Sequence, residues 1–195
     1  EDRSQAVKWY RKSAEQGNVY AQYNLANAFI IGSGVPKSSS QAAAWLRKAA
    51  EQGLSLAQHD LGELYERGEG VPKDLSQAVK WYHKAADQGN NLAEHKLESM
   101  HSNGKGLPKD AVKWYSRTAE QGNVRAQYYL GLMYTNDQEG LHRDYVQALK
   151  WLYSAKAGGF VKADRVIQWV ESRISNQQIE RAQALAAEWW DNHHQ

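Results

Sequence analysis

The chain has 195 residues, with 24 Lys or Arg against 22 Asp or Glu and a formal charge of +2. That balance, scattered without a run of like charges, argues against a nucleic-acid or anionic-membrane ligand. There is no cysteine, so disulfides and thiolate chemistry are excluded, and no apolar stretch approaches the ~20 residues of a membrane span.

The first element surrounds Trp9, and its tryptophan returns at Trp45, Trp81, Trp114 and Trp151, at separations of 36, 36, 33 and 37 residues. A fixed period of this size is the mark of a stacked repeat array. Residues 1–17 form half a repeat, a helix we term B. Residues 18–53, 54–89, 90–122 and 123–159 are four full repeats. In each B segment the apolar positions follow helical spacing, as at Ala78, Trp81, Tyr82, Ala85 and Ala86. Asp2, Ser38, Asp74 and Asp144, each seven residues before its Trp, are the expected N-caps of helix B. Its C-terminus falls at Gly17, Gly53, Gly89 and Gly122, since glycine tolerates the left-handed conformation that closes a helix. The tryptophans Trp45, Trp81, Trp114 and Trp151 are expected in the core, whereas Trp9 and Val7, on an unpaired first helix, are expected to lie exposed.

A second helix, A, follows each glycine, with Asn18, Asn90 and Asn123 as N-caps. It spans Ala21 to Phe29, Ala57 to Tyr65, Ala93 to His101, Ala126 to Tyr134 and Ala163 to Glu171. Helix A ends at Gly-x-Gly-hydrophobic-Pro: Gly32 to Pro36, Gly68 to Pro72 and Gly104 to Pro108. One glycine stops the helix and the proline sets the entry to the next. No strand precedes these glycines, so they are punctuation rather than a phosphate loop.

The third repeat lacks three residues between Asp110 and Ala111, worth about 4.5 Å of helix. A shortened helix B, a stretched loop over 103–110 and a kink near 98–111 are expected there. Residues 160–174 hold the last helix A. Residues 175–195 form a capping helix: Ser175 and Gln178 make a capping box, and Ile179, Ala182, Ala186, Trp189 and Trp190 share one face.

The units resemble the Sel1-like repeat family, whose pattern is matched at nearly every position from Ala57-Gln58-His59-Asp60-Leu61-Gly62-Glu63-Leu64-Tyr65 through Gly89. Ala26 and Glu98 depart from it where Gly62 and Gly131 match, and His101 replaces its tyrosine. The resemblance covers roughly residues 1–174. It implies an all-α fold: a right-handed α-solenoid of antiparallel helix pairs, with about 11 helices. It also implies a non-catalytic adaptor that binds another protein in a concave groove; the composition and compact size suit a bacterial protein, and a monomer is expected. An immunity protein against a secreted toxic effector is one implied subtype; an envelope protein is another kind of partner. The alternative is a small enzyme or ligand binder acting on cell-wall or β-lactam material. The periplasm is favoured over the cytoplasm. Because the sequence opens inside a repeat, a trimmed piece of a longer chain is expected.

No Gly-x-Ser-x-Gly, His-Glu-x-x-His or Walker motif occurs, and no cofactor is expected. Nor is a metal site: His59 and His95 stand at equivalent positions on helices about 8–10 Å apart, too far for shared ligation. The terminal His193 and His194 would bind metal only adventitiously. The expected partner surface is the A-helix face not used by the core. It carries two stripes four residues apart: Tyr23, His59, His95, Tyr128 and Arg165, and beside them Asn27, Glu63, Ser99, Leu132 and Trp169.

Overall fold

The computed structural model describes residues 3–102, 109–136 and 141–193. Eleven α-helices and no strand occur among the described residues: α1 Arg3–Glu15, α2 Val19–Ile31, α3 Ser39–Glu51, α4 Ser55–Arg67, α5 Leu75–Asp87, α6 Asn91–Ser102, α7 Lys109–Glu120, α8 Val124–Tyr134, α9 Tyr145–Ala157, α10 Ala163–Glu171 and α11 Asn176–His193. The fold is an α-solenoid of helical hairpins, as the period of the tryptophans requires. Two compact units are present, Glu1–Glu98 and Ser99–Gln195, divided inside α6.

The caps are made as the sequence dictates. Asn18, Asn90 and Asn123 accept hydrogen bonds from the amides of Ala21, Ala93 and Ala126 at 2.9, 3.0 and 2.9 Å. Asp74 and Asp144 accept from Gln77 and Gln147, both at 3.0 Å. Ser38 accepts from Gln41 at 3.4 Å. The expected cap at Asp2 lies outside the described residues. Helix α4 departs from the pattern, because Leu54 occupies the cap position and offers no side-chain oxygen.

The two glycines of Gly-x-Gly do different work. Gly68 closes α4 at φ +73°. Gly70 is also left-handed, at φ +72°, but a Cβ there would stand 2.2 Å from the carbonyl oxygen of Ser39 at the head of α3. Gly34 repeats this against Arg3, at 2.4 Å. The loops after α2 and α4 therefore lie directly on the starts of α1 and α3, the B helices that precede them.

A glutamine ladder, not anticipated from the sequence, ties the hairpins together. Gln22 donates to the Ala14 carbonyl at 3.2 Å and accepts from Gln52 at 2.7 Å. Gln58 repeats both bonds, donating to Ala50 at 3.0 Å and accepting from Gln88 at 2.7 Å. In the second unit Gln127 donates to Ala119 at 3.2 Å. The residue that should donate to it, by register, is Gly158, and the buried Gln127 Oε1 has no hydrogen-bond partner.

Three expectations need correction. Of the tryptophans expected in the core, Trp81 and Trp151 are buried but Trp45 and Trp114 only half-buried. On α1, Trp9 is 62% exposed as expected, whereas Val7, expected to be exposed, is buried against α2. The fully buried position is the next residue, Leu46, Tyr82, Tyr115 or Leu152. The indoles lie at the outer edge of the B helices, with Lys48, Lys84 and Lys150 at 4.2, 4.4 and 4.1 Å from the rings of Trp45, Trp81 and Trp151.

In the third repeat, α7 has 12 residues against 13 in α5. The missing residues are taken from the link before the helix instead. Helix α5 begins three residues after Pro72, whereas α7 begins one after Pro108, so Asp110 passes from the cap position into the first turn. The expected loop over 103–110 falls largely outside the described residues. Helix α11 opens on the predicted capping box: the Ser175 amide donates to Gln178 Oε1 at 3.0 Å, and the Gln178 amide to Ser175 Oγ at 3.4 Å. It packs on α9 rather than on α10. Trp189 stands 5.9 Å from Trp151 and donates to Glu120 at 3.0 Å.

Candidate interaction surface

In the first unit the A helices α2, α4 and α6 lie side by side and are cross-linked by their outward residues. Tyr23 on α2 donates to Asp60 on α4 at 3.0 Å, and Asp60 also bonds His59 Nδ1 at 2.9 Å. Glu63 pairs with Arg67 at 3.2 Å and with Lys96 on α6 at 3.1 Å. Lys96 bridges to Glu66 at 3.1 Å, and Glu66 accepts the hydroxyl of the fully buried Tyr82 at 2.6 Å. Asp60 thus joins Tyr23 to His59 within one predicted stripe, and Lys96 joins Glu63 of the other to Glu66. Asp60, Glu66 and Lys96 lie outside the predicted stripes; the sequence signal for Glu66 is its spacing, since Glu63, Glu66 and Arg67 stand at i, i+3 and i+4 on one helix face.

The electrostatics follow from this arrangement. Burial by itself would raise the Glu66 carboxyl, but the hydrogen bonds from Tyr82 and then Lys96 outweigh it, and the net shift is down. Burial would lower the Lys96 ammonium, yet Glu63 and Glu66 raise it overall. Tyr23 is raised, by burial first and Asp60 next, with Asn27 opposing.

His59, Asp60 and Glu63 offer ligand atoms within 4.8 Å of one another, a geometry able to hold a divalent cation. The two carboxylates are already engaged, Asp60 by Tyr23 and Glu63 by Arg67 and Lys96. Within the stripe, His59 is 8% exposed, Tyr23, Asn27 and Glu63 are half-buried, and His95 is exposed.

In the second unit Ser99 and Leu132 are half-buried, and Tyr128 is 8% exposed, packed 4.8 Å from Phe160 and 5.2 Å from Tyr129. Arg165 and Trp169 are exposed on α10. The Trp169 ring carries the Arg173 guanidinium at 3.8 Å on one side and meets Tyr145 edge-on at 6.1 Å. Tyr153 on α9 donates to Glu171 on α10 at 2.5 Å, and burial together with that carboxylate pushes the phenol up to about 12.

Comparison with known proteins agrees with the repeat pattern. The Sel1 repeat profile matches residues 1–18, 19–54, 55–90, 91–123 and 124–160. None of the curated proteins matches significantly. The crystal structure of c5321, a protective antigen of uropathogenic Escherichia coli displaying an SLR fold, is 33% identical with a TM-score of 0.52, covering 98% of this chain and 41% of that one. A Sel1 repeat protein from Oxalobacter formigenes is also 33% identical, with a TM-score of 0.52, covering 88% and 50%. The chain therefore spans half or less of the length of these two relatives. An immunity protein from Pseudomonas aeruginosa, Pa5087, is similar at 22% identity and a TM-score of 0.41, covering 99% and 74%. With five consecutive matches along the sequence and helical hairpins of that period in the structure, the chain belongs to the Sel1 repeat family.

Proposed function

We propose that this chain is a non-catalytic scaffold that binds a protein partner through the outward faces of its A helices. Sel1 repeat proteins act as protein-interaction scaffolds, and the fold is typically non-catalytic. The observation that carries the reading is the cross-linked polar face of the first unit, where side-chain bonds join α2 to α4 and α4 to α6 at a partly exposed surface. Side chains already fixed lose little entropy on binding, which favours affinity. Tyr23, Asn27, Glu63 and His95 contribute contacts, and His59 supports them from below. In the second unit Arg165 and Trp169 are of types enriched at binding hot spots, and Ser99, Leu132 and Tyr128 belong to the same proposed set.

The narrower form is an immunity protein that neutralises a secreted toxic effector. It comes from the family's range of roles, not from a particular residue. Affinity capture from bacterial lysate with the wild-type chain, against Glu63→Ala/His95→Ala and Arg165→Ala/Trp169→Ala variants of unchanged circular dichroism, tests the surface. A partner retained equally by all three proteins counts against it. Survival of cells producing the captured partner only when this chain is co-expressed tests the narrower form.

A further inference from the structure

Helix α4 gathers one imidazole and two carboxylates on a single facet. His59 and Glu63 stand four residues apart, and Asp60 and Glu63 three apart, so the three side chains are neighbours on the helix surface. Each offers a ligand atom, and these atoms lie within 4.8 Å of one another. Among the described residues this is the one such group of three His, Asp or Glu donors. Donors bound to one ion at about 2.0–2.2 Å stand at most about 4.4 Å apart. Rotation of the Glu63 side chain supplies the small contraction required.

The donors are held in place by their neighbours. His59 is 8% exposed, its ring stands 5.7 Å from that of Tyr82, and its Nδ1 lies 2.9 Å from Asp60 Oδ1. The other oxygen of Asp60, Oδ2, accepts from the Tyr23 hydroxyl at 3.0 Å. An outer hydrogen bond of this kind orients a ligating carboxylate. Arg67 and Lys96 both reach Glu63 through Oε1, which leaves Oε2 to an ion. With the imidazole proton on Nε2, Nδ1 presents its lone pair, and the His59–Asp60 bond is exchanged for two bonds to metal. The repeat itself does not call for these residues. The same register positions hold Tyr23, Asn24 and Asn27 in α2 and Tyr128, Tyr129 and Leu132 in α8, and both segments are helical without a carboxylate there.

We propose that His59, Asp60 and Glu63 bind a divalent transition-metal ion of the zinc class. One imidazole nitrogen with two carboxylate oxygens suits zinc, whereas magnesium and calcium take oxygen ligands. Three protein ligands leave a coordination position for water or a further donor. The site shares His59 and Glu63 with the surface proposed above but needs no partner, so it is measured on the chain alone.

The test is isothermal titration of Zn2+ into the full untagged chain carrying His193→Ala and His194→Ala, which removes the terminal histidine pair. One saturable site with a Kd of about 1–100 µM is expected, and Mg2+ and Ca2+ should bind at least about a hundredfold more weakly. Glu63→Gln, Asp60→Asn and His59→Gln should each weaken Zn2+ binding about tenfold or more. Tyr23→Phe, which removes only the outer hydrogen bond, should weaken it by up to about tenfold. Lys96→Gln should tighten it about threefold, because an ammonium 3.1 Å from the Glu63 carboxylate repels the ion. Circular dichroism checks that each variant is folded; if His59→Gln unfolds the chain, Glu63→Gln and Lys96→Gln decide. Absence of Zn2+ binding at roughly 1 mM overturns the proposal, including the case in which only the parent chain binds, through its terminal histidines. So does binding unchanged in Glu63→Gln and Asp60→Asn. Zn2+ binding by a chain that captures no partner supports this site and counts only against the surface proposed above.

Discussion

Replacing two left-handed glycines in unlike surroundings separates the cost of conformation from that of close approach. Gly53 and Gly70 are both left-handed, at φ +94° and +72°. Nothing lies within 4 Å of a Cβ built on Gly53, whereas one on Gly70 would meet the Ser39 carbonyl oxygen at 2.2 Å and its carbon at 2.3 Å. Gly53→Ala should therefore cost only the left-handed penalty, about 1–2 kcal/mol. Gly70→Ala incurs that penalty plus the displacement of a helix N-terminus, for which overpacking adds about 1–3 kcal/mol. The expected totals are about 1–2 and about 2–5 kcal/mol. Urea unfolding followed by circular dichroism gives the difference, and native-state hydrogen exchange should place the Gly70→Ala damage in α3 and α4, since loss in an array stays with a unit and its neighbours. Equal destabilisation by the two substitutions would refute the account of the loop as a backbone-on-backbone contact.

Four further outcomes follow from the same geometry. Trp151→Ala should destabilise by about 3–5 kcal/mol, as truncation of a buried aromatic does, while Trp9→Ala, at 62% exposure, should stay within about 0.5 kcal/mol in thermal unfolding. Gln58→Leu breaks two ladder bonds and leaves the Ala50 carbonyl without its side-chain donor, so it should cost roughly 1–3 kcal/mol. Gln127→Leu breaks one bond and removes a buried orphan oxygen, and should cost less than Gln58→Leu in the same denaturant titration. Because the folded-state Glu66 carboxyl is lowered, its contribution is present above the unfolded carboxylate value and is lost as pH falls through the folded one. Wild-type stability should accordingly drop on acidification below about pH 4.5 more steeply than that of Glu66→Gln; parallel pH profiles would contradict the role given to Tyr82 and Lys96.

The ladder and the charged face show where sequence reading stops. Gln22, Gln58 and Gln127 recur at one register position, but a recurring polar residue in a helix reads equally as solvated surface. Only the approach of the next hairpin buries it and supplies its donor. Likewise His59 and Tyr128 lie on the stripe chosen for binding, yet both are nearly covered, because the neighbouring Tyr82 and Phe160 rings close over them. Asp60 reads in sequence as one more surface acid, and its side chain gains meaning only from Tyr23, 37 residues earlier.

What the sequence determined by itself is the local grammar: where each helix starts and stops, the hairpin period and the family. These depend on caps, left-handed glycines and 3.6-residue periodicity, all of which act within a few residues. Tertiary structure decided which copy of a repeated residue is buried. Trp9 and Trp81 occupy one register position, yet Trp81, on the helix that packs against α4, is buried and Trp9 is exposed, because hydrophobic burial is a property of the contact between hairpins rather than of the residue.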